Sequence, residues 1–543
     1  MHDLKRFFER GDVYRICLFI AVITKIALYL HFFQFEGDKL FQSLGAKNLV
    51  EGNGLTFQHV LPQDISTIVY EPINRWPPGY SLLITPFYLI THHLETSSLI
   101  VDIVSIILFF GVLHVLLRSF RFPQYLITLL ILFNGATFAP YISKPTDLLA
   151  NVGILYSCYL SLVFLSNPLR SARFGYVIGA VNVIPVLFRF MYLPGMLVLP
   201  VLLITAGYLK KDARIKRGGV NCLILSIALT GCILLFQMIY TGSTSYLFLS
   251  GKGFYPKNLL MLYPFVLSAF IDTNFVQQQI SLISGVPYRV LFEYVRMLNA
   301  IIFVALVIGL IRFIIQKSRN SFTKWDFFVI SAGVINLAIL FVLFYLSVIN
   351  SPGSRLFTSR FRWTFVEEGR FFTFAMTVLP IIAGYYLFVV HSSKFPGYQK
   401  LFRYLFAGLI FFQVVHTFYF LAQRFKPLGL EGGNVLLTTP AKVFLKDLIQ
   451  DSKQKDWNVV LTGNDETVSN WAALNNEKGL LDLNDLNTHK IVTSKPTVVL
   501  IVLEARMLPV FKNILSRKNV RLEKQVGHLY IYSMRVEMVS NRS

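Results

Sequence analysis

Acidic and basic side chains of the types needed for group transfer lie in the segments between long apolar runs. The stretch 35–79 directly follows the first apolar run. It has Asp38 near its start and ends with Glu71, Arg75 and Trp76-Pro77-Pro78-Gly79. Two consecutive prolines lack backbone donors and cannot continue a helix. A carboxylate held where a helix leaves a bilayer is suited to remove a proton from a molecule at the membrane surface. We therefore predict that Asp38 is a general base.

A second acid, Asp147, opens a later apolar run and follows Lys144-Pro145-Thr146. Asp147 is a candidate second catalytic carboxylate, with Lys144 as a substrate contact beside it. The alternative is structural, because an Asp in the first turn of a helix is stabilised by the helix dipole. The sequence leaves both interpretations open.

Arginines occur where a membrane protein should have few of them. Arg189 separates two apolar runs, and Arg360 and Arg370 belong to the loop NSPGSRLFTSRFRWTFVEEGR, on the side where the positive-inside rule predicts few cations. Arginine binds phosphate through a fixed fork of donors. The alternative is pairing with Glu367, Glu368 and lipid headgroups. We predict six substrate-binding residues: Glu71, Arg75, Lys144, Arg189, Arg360 and Arg370.

Together these groups describe one kind of chemistry. Transfer of a sugar from a lipid phosphate requires a carboxylate that takes the proton of the acceptor hydroxyl as an oxocarbenium-like centre forms. It also requires donors that hold the charge of the departing phosphate. The acids and arginines of the segments between the apolar runs supply both.

The composition places these residues in a membrane protein. Of 543 residues, 54% are hydrophobic and only 15% are charged, and the mean hydropathy is +0.57. Much of the net charge of +22 comes from short clusters of Lys and Arg between apolar runs, a pattern that sets the orientation of a membrane protein. No nucleic-acid partner is therefore expected. All four cysteines fall inside apolar runs and are expected to be core residues.

The hydropathy pattern predicts about eleven membrane-spanning helices of about 20 residues each. The basic cluster 210–217 marks the cytoplasmic side most strongly, which puts the N-terminus inside and the C-terminus outside the cytoplasmic (inner) membrane. The apolar piece 80–90 is too short to span, so it is predicted to be an interfacial or re-entrant helix. The predicted spans are 13–33, 98–117, 124–141, 147–165, 174–188, 193–209, 220–240, 295–315, 327–349, 371–390 and 401–422.

From about residue 424 the composition becomes that of a soluble protein, which predicts two domains, 1–423 and 424–543. Strands are predicted at 458–463, 497–503 and 528–533, and helices at 440–452, 466–474 and 508–517. This pattern is typical of a small extracytoplasmic α/β domain. Gly463-Asn464-Asp465 follows a strand and precedes a helix, as ligand-binding loops do, although a capped turn has the same sequence. The predicted fold class is an all-α polytopic membrane protein with juxtamembrane helices in its first outer loop and a C-terminal α/β domain.

The motifs resemble those of the polytopic glycosyltransferases of the GT-C superfold, relatives of protein O-mannosyltransferases and of aminoarabinose transferases that act on lipid A. In that group the first outer loop begins with Asp and an aromatic residue, continues through a glycine turn, and closes on Pro-Pro-aromatic. Here these segments are Asp38-Lys39-Leu40-Phe41, Gly52-Asn53-Gly54 and Trp76-Pro77-Pro78-Gly79-Tyr80. The later positions that match are Asp147, Arg189 and Arg370-Phe371-Phe372.

The resemblance implies an inverting transferase that uses a polyprenyl-phosphate sugar at the outer face of the membrane, with a glycan, lipid or protein hydroxyl as acceptor. Two departures leave the metal requirement open: Lys39 replaces the second acid of many relatives, and Arg75-Trp76 replaces the Glu-Lys of the lipid A branch. No cofactor is certain, and a divalent metal is one alternative. The pairs His92-His93 and Glu367-Glu368 lack the spaced partners that a metal site needs.

Two other classes compete with a transferase. A transporter or flippase for lipid-linked saccharides would show ionisable residues near helix midpoints and paired broken helices, whereas the charges of this sequence gather at the ends of the predicted spans. A non-catalytic scaffold whose C-terminal domain binds a partner is the third class.

Overall fold

The computed structural model describes most of the chain. The described residues are 11–31, 33, 37–74, 76–138, 142, 145–241, 254–256, 266–318, 322–349, 357–358, 363–364, 372–389, 396–422, 437–463, 466–480, 483, 485–488 and 493–536.

The membrane part is helical. Its helices, in chain order, are α1 (Gly11–His31), α2 (Gly37–Val50), α3 (Gly79–Thr91), α4 (Leu94–Ser119), α5 (Gln124–Leu132), α6 (Pro145–Ser166), α7 (Phe174–Asn182), α8 (Ile184–Phe188), α9 (Val198–Leu209), α10 (Ala213–Thr241), α11 (Thr273–Ser284), α12 (Tyr288–Ser318), α13 (Lys324–Ile349), α14 (Thr373–Gly384) and α15 (Pro396–Ala422). Short 3-10 turns lie at Gly135–Thr137, Phe190–Tyr192, Pro194–Leu197 and Leu267–Ala269, and a π-helical turn, Tyr385–Val389, extends α14. A two-stranded hairpin, β1 (Thr56–Leu61) and β2 (Asp64–Pro72), lies between α2 and α3, and two short paired strands, β3 (Phe357–Thr358) and β4 (Trp363–Thr364), lie between α13 and α14.

Eight helical segments among the described residues are long and apolar enough to cross a membrane. Three shorter apolar helices accompany them, Gly79–Thr91, Phe174–Phe188 and Thr373–Val389. Each predicted span has a helical counterpart, although the described part of the span predicted at 124–141 consists of the nine-residue helix α5 and a 3-10 turn. The predicted fold class, a polytopic membrane protein with a small C-terminal α/β region, is confirmed.

The Pro-Pro turn sets the start of α3. Pro78 caps the N-terminus of the helix, and His92 ends it in the left-handed conformation with φ of 53°. The helix contains Pro86 and has 13 residues, close to the predicted apolar piece 80–90. The helix begins here because proline is tolerated at the start of a helix but not in its interior, so no helix continues through Pro77-Pro78 from the preceding residues.

The C-terminal region forms α16 (Thr439–Gln454), β5 (Asn458–Gly463), α17 (Glu466–Leu474), β6 (Lys478–Gly479), α18 (Asp485–Thr488), β7 (Thr497–Glu504), α19 (Lys512–Leu515), β8 (Val520–Val526) and β9 (Leu529–Val536). The sheet order is β6-β5-β7-β9-β8, with β5 parallel to β6 and β7, and β9 antiparallel to its two neighbours. Every residue of β7 is buried, as expected of the central strand. The helix predicted at 508–517 is shorter in the structure, where it is α19, and the 3-10 turn Ala505–Met507 lies before it.

The chain divides into two compact units, and the boundary differs from the predicted one at residue 424. The first unit contains residues 1–33, 74–77 and 101–428, and the second contains 34–73, 78–100 and 429–543. The sequence-based division placed the first loop in the membrane domain. In the structure the loop belongs to the same unit as the α/β domain because the β1–β2 hairpin, which the sequence analysis did not predict, packs on the C-terminal sheet.

The sidedness of the chain remains a prediction that cysteine labelling can test. In a variant without the native cysteines, new cysteines at Gln63 and Gln454 should react with an impermeant thiol reagent added outside intact cells. A cysteine at Ser171 should react only after lysis. All three positions are exposed, unlike Ser43 and Ser452, whose burial would prevent labelling. Labelling of Gln63 and Ser171 from the same side would overturn the predicted topology.

Candidate active site

Asp147 and Arg189 form a buried ion pair in the first unit. Asp147 is the third residue of α6, and Arg189 follows α8 in an extended conformation with φ of −152°. Arg189 Nε donates to Asp147 Oδ1 at 2.8 Å, and Nη2 donates to Oδ2 at 3.2 Å. The exposed fraction is 9% for the arginine side chain and 2% for the aspartate side chain. Because both donors of one guanidinium edge meet both carboxylate oxygens, this pair has the bidentate geometry of strong charge-assisted hydrogen bonds.

A buried amide lies one helical turn beyond Asp147. Asn151 is fully buried on α6, and its Oδ1 lies 3.5 Å from the Tyr192 hydroxyl, at the limit for a hydrogen bond. Its Nδ2 donor has no partner among the described residues. Buried polar groups are nearly always hydrogen-bonded, and Asn151 Nδ2 is one of several exceptions among the described residues.

A second buried polar cluster in the first unit was not predicted from the sequence. Lys25, on α1, is 1% exposed; its ammonium donates to the Thr137 carbonyl at 3.1 Å and lies 5.9 Å from the centroid of the Phe138 ring. The Phe138 ring in turn contacts the imidazole of His416, on α15. His416 Nε2 lies 3.2 Å from Asp272 Oδ2, and both side chains are 2% exposed. Asp272 also caps α11 by accepting a hydrogen bond from the Phe275 amide.

The hydroxyl of Tyr29, one turn after Lys25 on α1, donates to the carboxylate of Asp102, on α4. Lys25 lies within the candidate span Gly11–His31 and Asp102 within the candidate span Leu94–Ser119, and neither residue is at an end of its span. The interpretation that charges gather only at helix ends is wrong for these two residues. The sequence does not show which groups a single lysine or aspartate in an apolar run will contact, so only the tertiary structure identifies its partners.

Two of the predicted site residues, Asp38 and Glu71, lie in the first loop. Asp38 is the second residue of α2, so its backbone is in the first turn of a helix that begins soon after α1; its side chain lies outside the described residues. Glu71, on β2, accepts from or pairs with His59, on β1, with Oε2 and Nε2 3.1 Å apart. His59 is buried and Glu71 is half-exposed. His59 was missed because the cross-strand register that brings it to Glu71 is not visible in the sequence.

Four of the predicted substrate contacts lie outside the described residues: Arg75, Lys144, Arg360 and Arg370. Within the described ranges, no group of three or more His, Cys, Asp and Glu side chains gathers as a metal site would require. His92 and His93 are exposed at the end of α3. The metal requirement therefore stays an open prediction.

A scan of family models and a search of curated proteins found no match to the chain. A solved structure does match: the crystal structure of ArnT from Cupriavidus metallidurans bound to undecaprenyl phosphate. The match covers 96% of this chain and 98% of that chain, with a TM-score of 0.52 and 11% sequence identity. The chain has a GT-C fold. The resemblance indicated by the first-loop motif is thereby confirmed at the level of the fold.

Within this GT-C fold, the described residues show one predicted catalytic carboxylate, Asp147, joined to one predicted substrate contact, Arg189. They do not show a free guanidinium at that position, because Arg189 is already bonded to Asp147. A role of Arg189 in phosphate binding would have to operate from this pair.

Proposed function

We propose that the protein is an inverting glycosyltransferase that moves a sugar from a polyprenyl-phosphate donor to a hydroxyl acceptor at the outer face of the cytoplasmic membrane. The observation that carries the proposal is the GT-C fold over nearly the whole chain, together with an acid, Asp38, at the start of the helix that follows the first span. The related structure holds undecaprenyl phosphate, the lipid that such a transfer would release.

The proposed step is a single displacement. The acceptor oxygen forms a bond to the anomeric carbon, the bond from that carbon to the phosphate oxygen breaks, and the electron pair leaves on the polyprenyl phosphate. Asp38 takes the proton of the acceptor hydroxyl, and cationic side chains hold the phosphate charge. We also propose Asp147 as a catalytic carboxylate, held by its bidentate pair with Arg189.

The test is transfer by the purified full-length protein in nanodiscs. Undecaprenyl-phosphate-linked pentose, aminopentose and hexose donors would be supplied with an extract of envelope glycolipids and glycans as acceptors. The measured quantity is undecaprenyl phosphate released in step with labelled sugar in an acid-stable product. Absence of acceptor-dependent release with every donor, while undecaprenyl phosphate still binds the protein, would contradict the proposed activity.

A flippase for lipid-linked saccharides is the second candidate, favoured by the ionisable residues Lys25 and Asp102 inside two apolar helices. Proteoliposomes that contain a labelled donor and no acceptor separate the two. A flippase moves donor between leaflets without release of polyprenyl phosphate, whereas a transferase needs an acceptor and breaks the phosphate bond.

A further inference from the structure

We propose that the C-terminal α/β domain is a positioning module whose partner is the first loop of the same chain. The inference rests on the proposed function, because it assigns the domain the task of holding the helix that carries Asp38. All the contacts that support it lie within the second compact unit.

The hairpin lies beside the edge of the domain's sheet at β6. Val60, on β1, forms a parallel bridge with Leu480, just after β6. Val60 and Ile65 are buried in the same apolar cluster as Val499 and Ile501 of the central strand β7. The first loop thus completes an apolar cluster on the C-terminal sheet, together with Leu483, Leu486, Phe511 and Ile514 of the domain.

Polar contacts fix the hairpin in register on the domain. Lys478 Nζ, on β6, donates to the Ser66 carbonyl and to Asn458 Oδ1, the latter at 2.6 Å. The hydroxyls of Ser66 and Ser494 lie 2.6 Å apart. Such groups are satisfied only in one register, so they specify where the hairpin sits rather than merely attracting it.

Helix α2 is held by the same domain. Leu40 and Leu44 are buried against Ala473, on α17, with Leu474 packed beside them. Gln58, on β1, donates through Nε2 to the Ala473 carbonyl at 3.2 Å. Leu40 follows Asp38 by two residues in the same helix, so the position of the α2 backbone at Asp38 is fixed through α17.

Through these contacts the domain affects catalysis by fixing the position of Asp38. A general base must lie within hydrogen-bond reach of the proton that it removes, and a misplacement of about 1 Å can lower a rate by about a hundredfold. Leu44 and Gln58 are therefore positioning residues.

The test compares two buried leucines of the second unit in the full-length protein. Leu44→Ala removes packing between α2 and α17. Leu445→Ala is the control: Leu445, on α16, is equally buried, but it packs in a different apolar cluster, which contains residues of α17 and the sheet and none of α2. We expect Leu44→Ala to speed amide exchange of residues 40–50 by about tenfold or more relative to Leu445→Ala. We also expect it to lower kcat by about ten- to a hundredfold with little change in donor KM. Leu44→Met should restore both quantities.

Equal exchange of residues 40–50 in the two alanine variants would overturn the inference, as would faster exchange with an unchanged kcat. If Leu44→Ala does not fold, Gln58→Leu, which deletes the hydrogen bond to Ala473, serves in its place with the same expected changes. The exchange measurement needs no donor. If the wild-type protein transfers no sugar, but residues 40–50 still exchange faster in Leu44→Ala than in Leu445→Ala, the proposed function is contradicted. The packing of α2 on the domain is then still supported.

Discussion

Asp38→Asn is expected to lower the rate of sugar transfer by about 10² to 10⁴, the contribution typical of a general base. The asparagine keeps the size of the side chain but cannot accept the proton of the acceptor hydroxyl. Folding should be near that of the wild type, because a carboxylate at the start of a helix contributes only about 0.3 to 1 kcal/mol. The measurement is single-turnover release of undecaprenyl phosphate from a donor that the wild-type protein accepts.

The matched control for Asp38→Asn is Glu51→Gln. Glu51 lies just beyond the other end of α2 and pairs with Lys47 at 3.3 Å, so its replacement also removes one carboxylate from this part of the chain. Its loss should leave the rate within about twofold, because the glutamine oxygen can still accept a hydrogen bond from the Lys47 ammonium. An Asp38→Asn protein that keeps more than about a tenth of the wild-type rate would rule out Asp38 as the base.

Arg189→Ala is expected to have the largest effect on stability, about 3 to 5 kcal/mol, because it leaves the Asp147 carboxylate buried without its partner. Asp147→Asn should be less severe, since the amide oxygen can still accept one hydrogen bond from the guanidinium. The double variant Asp147→Asn/Arg189→Gln contains no buried charge at this position, so it should recover much of the stability lost in Arg189→Ala. Thermal unfolding in one detergent, with all variants in parallel, gives the comparison.

The double variant also separates structure from ligand binding. If Arg189 contacts the phosphate, the single change should weaken undecaprenyl phosphate binding by about 1.5 to 3 kcal/mol, and the double variant should stay weak although its stability has returned. Recovery of both stability and affinity in the double variant would mean that the pair is structural. Full stability of Arg189→Ala by itself would contradict the buried pair described here.

The sequence by itself determined the class of the protein and the residue at which α3 begins. Hydropathy over about 20 residues decides whether a helix can span, and this depends on composition alone. Pro77 and Pro78 decide that α3 begins where it does, because a missing backbone donor acts on its immediate neighbours. The strands β5, β7 and β9 follow from short runs of branched and aromatic residues, and the Asp38 motif by itself indicates the GT-C fold.

Only the tertiary structure decided which distant groups meet. Asp147 and Arg189 are 42 residues apart. From the sequence, Asp147 could equally interact with the helix dipole and Arg189 with a lipid headgroup; the packing of α6 against α8 brings the two side chains together. The β1–β2 hairpin reaches Lys478 across 412 residues, which moved the first loop from the predicted membrane domain into the unit of the α/β domain. Periodicity shows which face of an element is buried but not what covers it. The partner is chosen by the shape and polarity of surfaces that exist only after the chain has folded.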